Sequence, residues 1–352
     1  MKNSPTLREW LTGQGGAAPF RQYMEAALHD PEFGYYSRNI TTVGREGDFS
    51  TSASLSGLLA RALASWVRGQ RASEDAPRHL IEIGPGTGQL HRDLRRALGW
   101  RGRLGLRSHL VERSPKLRAV QRRTLGPASW RVSWHDHPAA ALQAAGGRAL
   151  IFSNELVDAF PVTLLQREGG VWQEVWLELM PGGRLVETLR PPGSPPGTSL
   201  EAAGFAEGQR IEVHDSYREW LGGWLPGWKA GMMLTIDYGS EAAQLYHRRP
   251  DGTLRGYHRH QRLEGPQLYR DPGHCDLTAD VNFTDLQQWG RADGLKSVLL
   301  ETQSQFLARH AIPRNRADEW LADAAGPGGA FLCLQQKPGP RAAVAAPPES
   351  GR

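Results

Sequence analysis

Cysteine is almost absent: the 352-residue chain has two, Cys275 and Cys333, with no CxxC pair. That excludes a disulfide framework and a cysteine-built zinc site, and it reads as two reduced, buried thiols. No apolar run approaches the roughly 18 residues of a membrane span, so no membrane insertion is expected. The N-terminus, MKNSPTLREWLTGQGGAAPF, lacks an apolar core and a small-residue cleavage site, and the expectation is a cytoplasmic, bacterial protein. Lysine is scarce too: five of the 42 basic residues are lysine and the rest arginine. Such a skew follows from a GC-rich genome without any binding surface. The net charge is +5, but the basic residues are dispersed apart from clusters such as Arg92, Arg95, Arg96 and Arg101. No aromatic-plus-basic motif accompanies them, so nucleic acid is not an expected partner. The histidines, His258, His260 and His274 among them, have no compact ligand spacing, and no metal is expected.

What is present is an alternation of strand-like and helix-like segments. Phe20–Leu28 has one apolar face at helical spacing, and 51–67 reads as a second helix. HLIEIG, LRSHLVERS, WRVSW and ALIFSNEL read as four strands, separated by helices at 88–98 and 115–124. This predicts a parallel sheet with helices on both faces. The rhythm then changes. A hairpin turning at Gly169–Gly170 is expected over 162–186, a Pro/Gly connector at 190–198, a helix over 209–228, a strand at 231–239 and a long loop-like insertion at 240–275. A helix at 283–293 and strands LKSVLLETQ and GAFLCLQQK close the domain, and 338–352 reads as a disordered tail.

The chemistry starts at LIEIGPGTG, residues 80–88. Gly84, Gly86 and Gly88 stand where a strand becomes a helix, a place where backbone approaches a ligand with no Cβ in the way. Glu82 lies inside the strand, where a carboxylate requires a partner, and it is counted with the cofactor-binding residues. Glu112 closes the next strand, the position of an acid that accepts ribose hydroxyls. Asp136 follows the third strand, placed for an adenine amino group, with Trp134 beside it to cover the ring. The GxGxG spacing differs from the dinucleotide GxGxxG, and the turn has no phosphate-binding lysine. The ligand best suited is S-adenosylmethionine.

Ser153-Asn154-Glu155 ends the fourth strand, and Asp158 follows. If a helical turn begins there, Glu155 and Asp158 share a face and can hold a guanidinium between carboxylates. The competing reading gives Asn154 or Glu155 to the methionine amino group and leaves Asp158 as a helix cap. Asp237 and Tyr238 end a later strand at the same rim, where the tyrosine hydroxyl can orient substrate or the aspartate can simply hold a turn.

Several blocks resemble the MidA-type methyltransferases, a family that includes the mitochondrial complex I assembly factor acting on a protein arginine. They are FRQYMEAALHDPEFGYYS, GDFSTSASLSGLLARAL, LIEIGPGTGQLHRDLRRAL, LVERSPKLRAVQ, SNELVDAFPV, IDYG, GTLRGYHRH, DLTADVNFTDL and TQSQFL, spread over residues 20–307. Ala53 and Ser54 depart from the family's Pro and Glu. The resemblance implies an α/β, Rossmann-like class I methyltransferase core with a seven-stranded, mostly parallel sheet. It implies a helical N-terminal lid over 1–75, a core of 76–161 and 231–337, and an inserted substrate arm over 162–230. It also implies that the loop carrying Asp48 and Thr51 folds over the cofactor, although a plain N-cap is the simpler reading of those residues. The functional expectation is methyl transfer to a protein side chain, arginine first. A small-molecule methyltransferase and a non-catalytic assembly factor are the alternatives, and the acceptor and oligomeric state are left open.

Overall fold

The computed structural model describes residues 6–38, 56–193, 197–200, 204–258 and 261–339. The nearly continuous apolar run His79–Ile83 (β2) becomes a strand buried on both faces, because Leu80 points into one helical layer and Ile81 and Ile83 into the other. Parallel neighbours Arg107–Val111 (β3) and Leu150–Asn154 (β5) flank it, and Val132–His135 (β4) forms the edge beyond β3. On the far side of β5 lie Met233–Ser240 (β10), Phe331–Pro338 (β16) and Leu295–Thr302 (β15), with β16 antiparallel to both its neighbours. The path β15-β16-β10-β5-β2-β3-β4 thus has seven strands, and the two-residue Val281–Asn282 (β14) adds an eighth on β10. The chain reverses direction across the sheet between β2 and β5, so the strand ends there open a crevice.

Helices Leu58–Gln70 and Gln89–Arg103 cover one face. Pro138–Ala144 and Phe283–Ala292 cover the other. Among the described residues no helix is long and apolar enough to cross a membrane.

Four expectations are corrected outside this sheet. The 162–186 hairpin exists as Thr163–Glu168 (β6) and Val171–Leu179 (β7), but Leu185–Arg190 (β8) pairs with β7 as well. The expected 209–228 helix begins as a strand, Arg210–Val213 (β9), which pairs with β6 before the helix Asp215–Gly222 starts. Ala17–Pro19 (β1) from the N-terminal region joins β7, so this region is not purely helical. The 240–275 stretch holds two strands, Arg255–His258 (β11) and Gln261–Leu263 (β12), which form a small sheet with Asp276–Thr278 (β13). The reason β9 was hidden is Glu212, a charge within a short apolar run. Its carboxylate is fully buried and accepts bonds from the Thr253 and Leu254 N–H groups at 2.8 and 3.0 Å and the Tyr246 hydroxyl at 3.0 Å. Those donors lie some forty residues away, beyond local pattern. Residues 340–352, most of the expected tail, lie outside the described residues.

One core feature sets a pH response. His79, His109 and His135 stand on adjacent strands with ring nitrogens 2.8 and 2.9 Å apart. Burial, then the neighbouring histidines and Arg107, hold His109 down at about 4, and burial followed by Arg107 and Arg118 lowers His79 and His135 respectively. A folded-state pKa below the unfolded 6.5 means that stability is full above pH 6.5 and is lost as pH falls toward 4. Between pH 7 and 5, His109 alone is expected to cost about 2 kcal/mol. Thermal melts across that range should show a shallower loss for His109→Asn; an identical slope would assign the response to other groups.

Candidate functional site

The β2–helix turn places its three glycines differently. All have left-handed backbone, with φ +66° at Gly84, +52° at Gly86 and +79° at Gly88. A Cβ at Gly84 would lie 2.7 Å from Leu156 Cδ1, and one at Gly88 3.2 Å from Gln121 Cγ, so both positions are set by packing. Among the described residues, a Cβ at Gly86 would meet no atom within 4 Å. Gly86 is therefore the glycine that faces open space. Glu82, expected at the ligand, is instead buried, with Oε2 2.9 Å from Nδ1 of the equally buried His91. That pair ties the strand to the helix that follows it and holds the turn from below.

Glu112 stands just past β3, and its N–H donates to the His135 carbonyl. Its Oε1 accepts from the Ser114 N–H at 2.8 Å, and burial raises its pKa. A residue that the sequence reading passed over joins the turn to this acid. The buried Gln121 donates from Nε2 to the Gly86 carbonyl at 2.9 Å and toward Glu112 Oε2 at 3.3 Å. Its Oε1 accepts the Trp134 indole N–H at 2.8 Å. Gly86, Glu112 and Trp134 are thereby brought to one wall. The clue was available: Gln121 sits between Leu117 and Leu125 at spacings of four, an amide on an apolar helix face. Asp136 is exposed and its carboxylate pairs with Arg118. Asp48 and Thr51 lie outside the described residues.

Across the crevice, β5 and β10 end in a cluster of acids. Asn154 donates to Glu155 Oε1 at 3.0 Å, while its own Oδ1 is buried without a hydrogen-bond partner. Glu155 has φ +52°, unusual for a residue with a side chain. That reversal sends the Leu156 and Val157 N–H groups onto Asp237 Oδ2 at 3.1 and 2.8 Å. Only Val157–Ala159 then forms a single 3-10 turn. Glu155 and Asp158 consequently do not share a helical face, which corrects the expected pairing. The left-handed residue falls between β5 and the turn, so the two residues do not follow one helical spacing. Asp158 is buried. Its Oδ2 accepts from the Tyr238 hydroxyl and, at 2.8 Å, from the Thr278 hydroxyl, while Oδ1 is buried and unpartnered. Burial raises the pKa of Asp158; burial, then the charge of Asp158, raises that of Asp237 further.

The insertion and the N-terminal region close this end. Arg255 lies 4.7 Å from the centre of the Tyr238 ring and donates to Asp280 at 2.6 Å. Tyr36 donates to Asp276 at 2.8 Å, near enough to feel the charge of Asp158. Asn154, Glu155, Asp158, Asp237 and Tyr238 thus converge at the ends of two adjacent strands. Among the described residues no group of three or more His, Cys, Asp or Glu side chains is arranged to hold a metal ion.

Residues 58–300 match the family model described as "Putative S-adenosyl-L-methionine-dependent methyltransferase". The chain is 28% identical to the mitochondrial protein arginine methyltransferase NDUFAF7 homolog of Drosophila melanogaster, over 93% of this chain and 83% of that one. It is 28% identical to the Danio rerio protein arginine methyltransferase NDUFAF7, over 84% and 74% respectively. A Burkholderia thailandensis structure bound to S-adenosyl-homocysteine superposes with a TM-score of 0.81 at 29% identity, over 96% of this chain and 92% of that one.

Proposed function

Since the chain belongs to this family of S-adenosylmethionine-dependent methyltransferases, matched over more than half its length, we propose that it methylates a guanidino nitrogen of arginine in a protein. The relatives named as protein arginine methyltransferases support this reading. The observation that carries it is the cluster of carboxyls at the ends of β5 and β10, with buried acceptor atoms of Asn154 and Asp158 left unpartnered.

The residues present fit the cofactor: open space over Gly86, an acid at the end of β3, an indole beside it and an unpartnered amide oxygen across the crevice. When bound, S-adenosylmethionine supplies a methyl group on a positively charged sulfur. Glu112 would hold the ribose hydroxyls and Trp134 the adenine plane, with Asp136 at the rim. Asn154 would take the methionine amino group through Oδ1. Glu155 would accept the proton lost by the guanidinium as the new nitrogen–carbon bond forms and the carbon–sulfur bond breaks. Asp158, held from inside by Tyr238 and Thr278, would position the second guanidino nitrogen. An acid cluster concentrates a cation that water would otherwise solvate, and it aligns the attacking nitrogen.

Labelled methyl transfer into a cell lysate, followed by acid hydrolysis and amino-acid analysis, tests this. Label in methylarginine supports the reading; label confined to small molecules rejects it. A second prediction concerns the wall. Gln121→Leu preserves the apolar packing but removes the bonds to Gly86, Glu112 and Trp134. It is expected to weaken cofactor affinity by roughly tenfold, about the worth of one or two lost hydrogen bonds. Titration calorimetry measures it, and unaltered affinity would reduce Gln121 to a packing residue.

A further inference from the structure

Outside the acid cluster, along the arm, a cavity of about 590 Å³ opens between the start of β8 and the insertion. Arg8, Arg184 and Arg270 line it, with Glu187, Tyr269 and the turn at Gly182–Gly183. Among the described residues Glu187 is its one acid, and that charge is already matched. Oε1 accepts from the Tyr269 hydroxyl at 2.6 Å and from Arg210 at 3.1 Å, and Oε2 pairs with Arg210. The three lining arginines have no ion pair among the described residues. Arg8 donates to the Arg270 carbonyl at 3.4 Å. The wall therefore presents a strong excess of positive charge.

The second feature is the strand itself. β8 pairs with β7 along one edge and with no other strand among the described residues. Residues Arg184–Glu187 at its start line the cavity. An open strand edge offers alternating N–H and C=O groups, which an extended backbone satisfies and a free phosphate does not. Positive charge beside such an edge selects a carboxylate-rich strand. The arm is also continuous with the acid cluster. β6 starts at Thr163, directly after the Asp158 turn, and Tyr269 precedes β13, whose Thr278 holds Asp158.

We propose that the free edge of β8 and the three arginines form a docking groove for an extended acidic segment of the methyl-accepting protein. The inference rests on the protein-acceptor reading above and adds a recognition element remote from the methylated side chain.

The probe is a fluorescein-labelled peptide of eight glutamates, titrated by anisotropy with the full chain. Binding is expected to weaken at least roughly tenfold in R184E/R270E, where two attractions become repulsions. It should fall with rising salt. A peptide N-methylated at alternate residues should bind poorly, because it cannot complete strand pairing. R96E/R101E, on the distant helix Gln89–Arg103, should bind like the parent. Equal binding to the parent and R184E/R270E, or no binding at all, overturns the groove. Equal binding of methylated and unmethylated peptides, with displacement by inorganic phosphate, overturns strand addition and leaves a simple anion site. S-adenosylmethionine calorimetry on the same samples reports independently. If the parent loses that binding, the proposed function fails; if R184E/R270E keeps it, its fold is intact.

Discussion

Gly86→Val is expected to abolish S-adenosylmethionine binding at millimolar ligand while the protein stays folded. The two effects separate because of where a Cβ would go. At Gly86 it enters open space, so no atom of the described residues has to move. The backbone penalty is that of a side chain at φ +52°, about 1–2 kcal/mol. A domain with roughly 5–15 kcal/mol of stability survives that. The ligand does not, because the valine methyls occupy the volume over the turn in which the cofactor must lie. Gly84→Ala is the contrasting case. Its Cβ would stand 2.7 Å from Leu156 Cδ1, against the chain that carries Glu155. Stability and binding should fall together there. Calorimetry and thermal melts on both variants distinguish these outcomes, and parental affinity in Gly86→Val would move the cofactor away from this turn.

The second large effect is expected at Glu155. Glu155→Gln should lower the transfer rate by about 100-fold or more, the usual contribution of a general base, with cofactor affinity changed little. Glu155→Gly sharpens the test. Glycine accepts φ +52° without strain, so this variant should be at least as stable as the parent yet inactive. Strain kept at a site in exchange for activity gives that signature. Asp158 should behave otherwise, because it is buried and bonded to Tyr238 and Thr278. Asp158→Ala removes the buried carboxylate to which both hydroxyls donate and is expected to cost roughly 2–4 kcal/mol of stability along with activity. Single-turnover rates alongside melting curves separate the two residues. Full turnover in Glu155→Gln would transfer the role of base to another group.

How much of this was legible beforehand depends on the range of the interactions involved. The glycine turn, the strands that bracket it and the acid after β3 were readable, because each is fixed by neighbours within a few residues. So were most core helices: Phe20–His29 and Pro115–Leu125 end within a residue of where their apolar spacing ends. The arm was read less well. β9 contains a carboxylate that only Thr253, Leu254 and Tyr246 make tolerable, and β8 becomes a strand by pairing with β7.

At the site, the sequence by itself determined which residue types stand at the strand ends: Gly86, Glu112, Asn154, Glu155, Asp158 and Asp237 were all singled out from it as candidates. Only the tertiary structure decided how each is held. Asp237 takes the N–H groups that follow Glu155, and this turns the chain so that Asp158 goes inward and Glu155 does not. Gln121, in the middle of a helix, fastens the turn, the acid and the indole into one wall. Residue type is a local property and can be read in order along the chain. Burial and hydrogen-bond partnership arise between segments dozens of residues apart, so they come into being only when the sheet has brought those segments together.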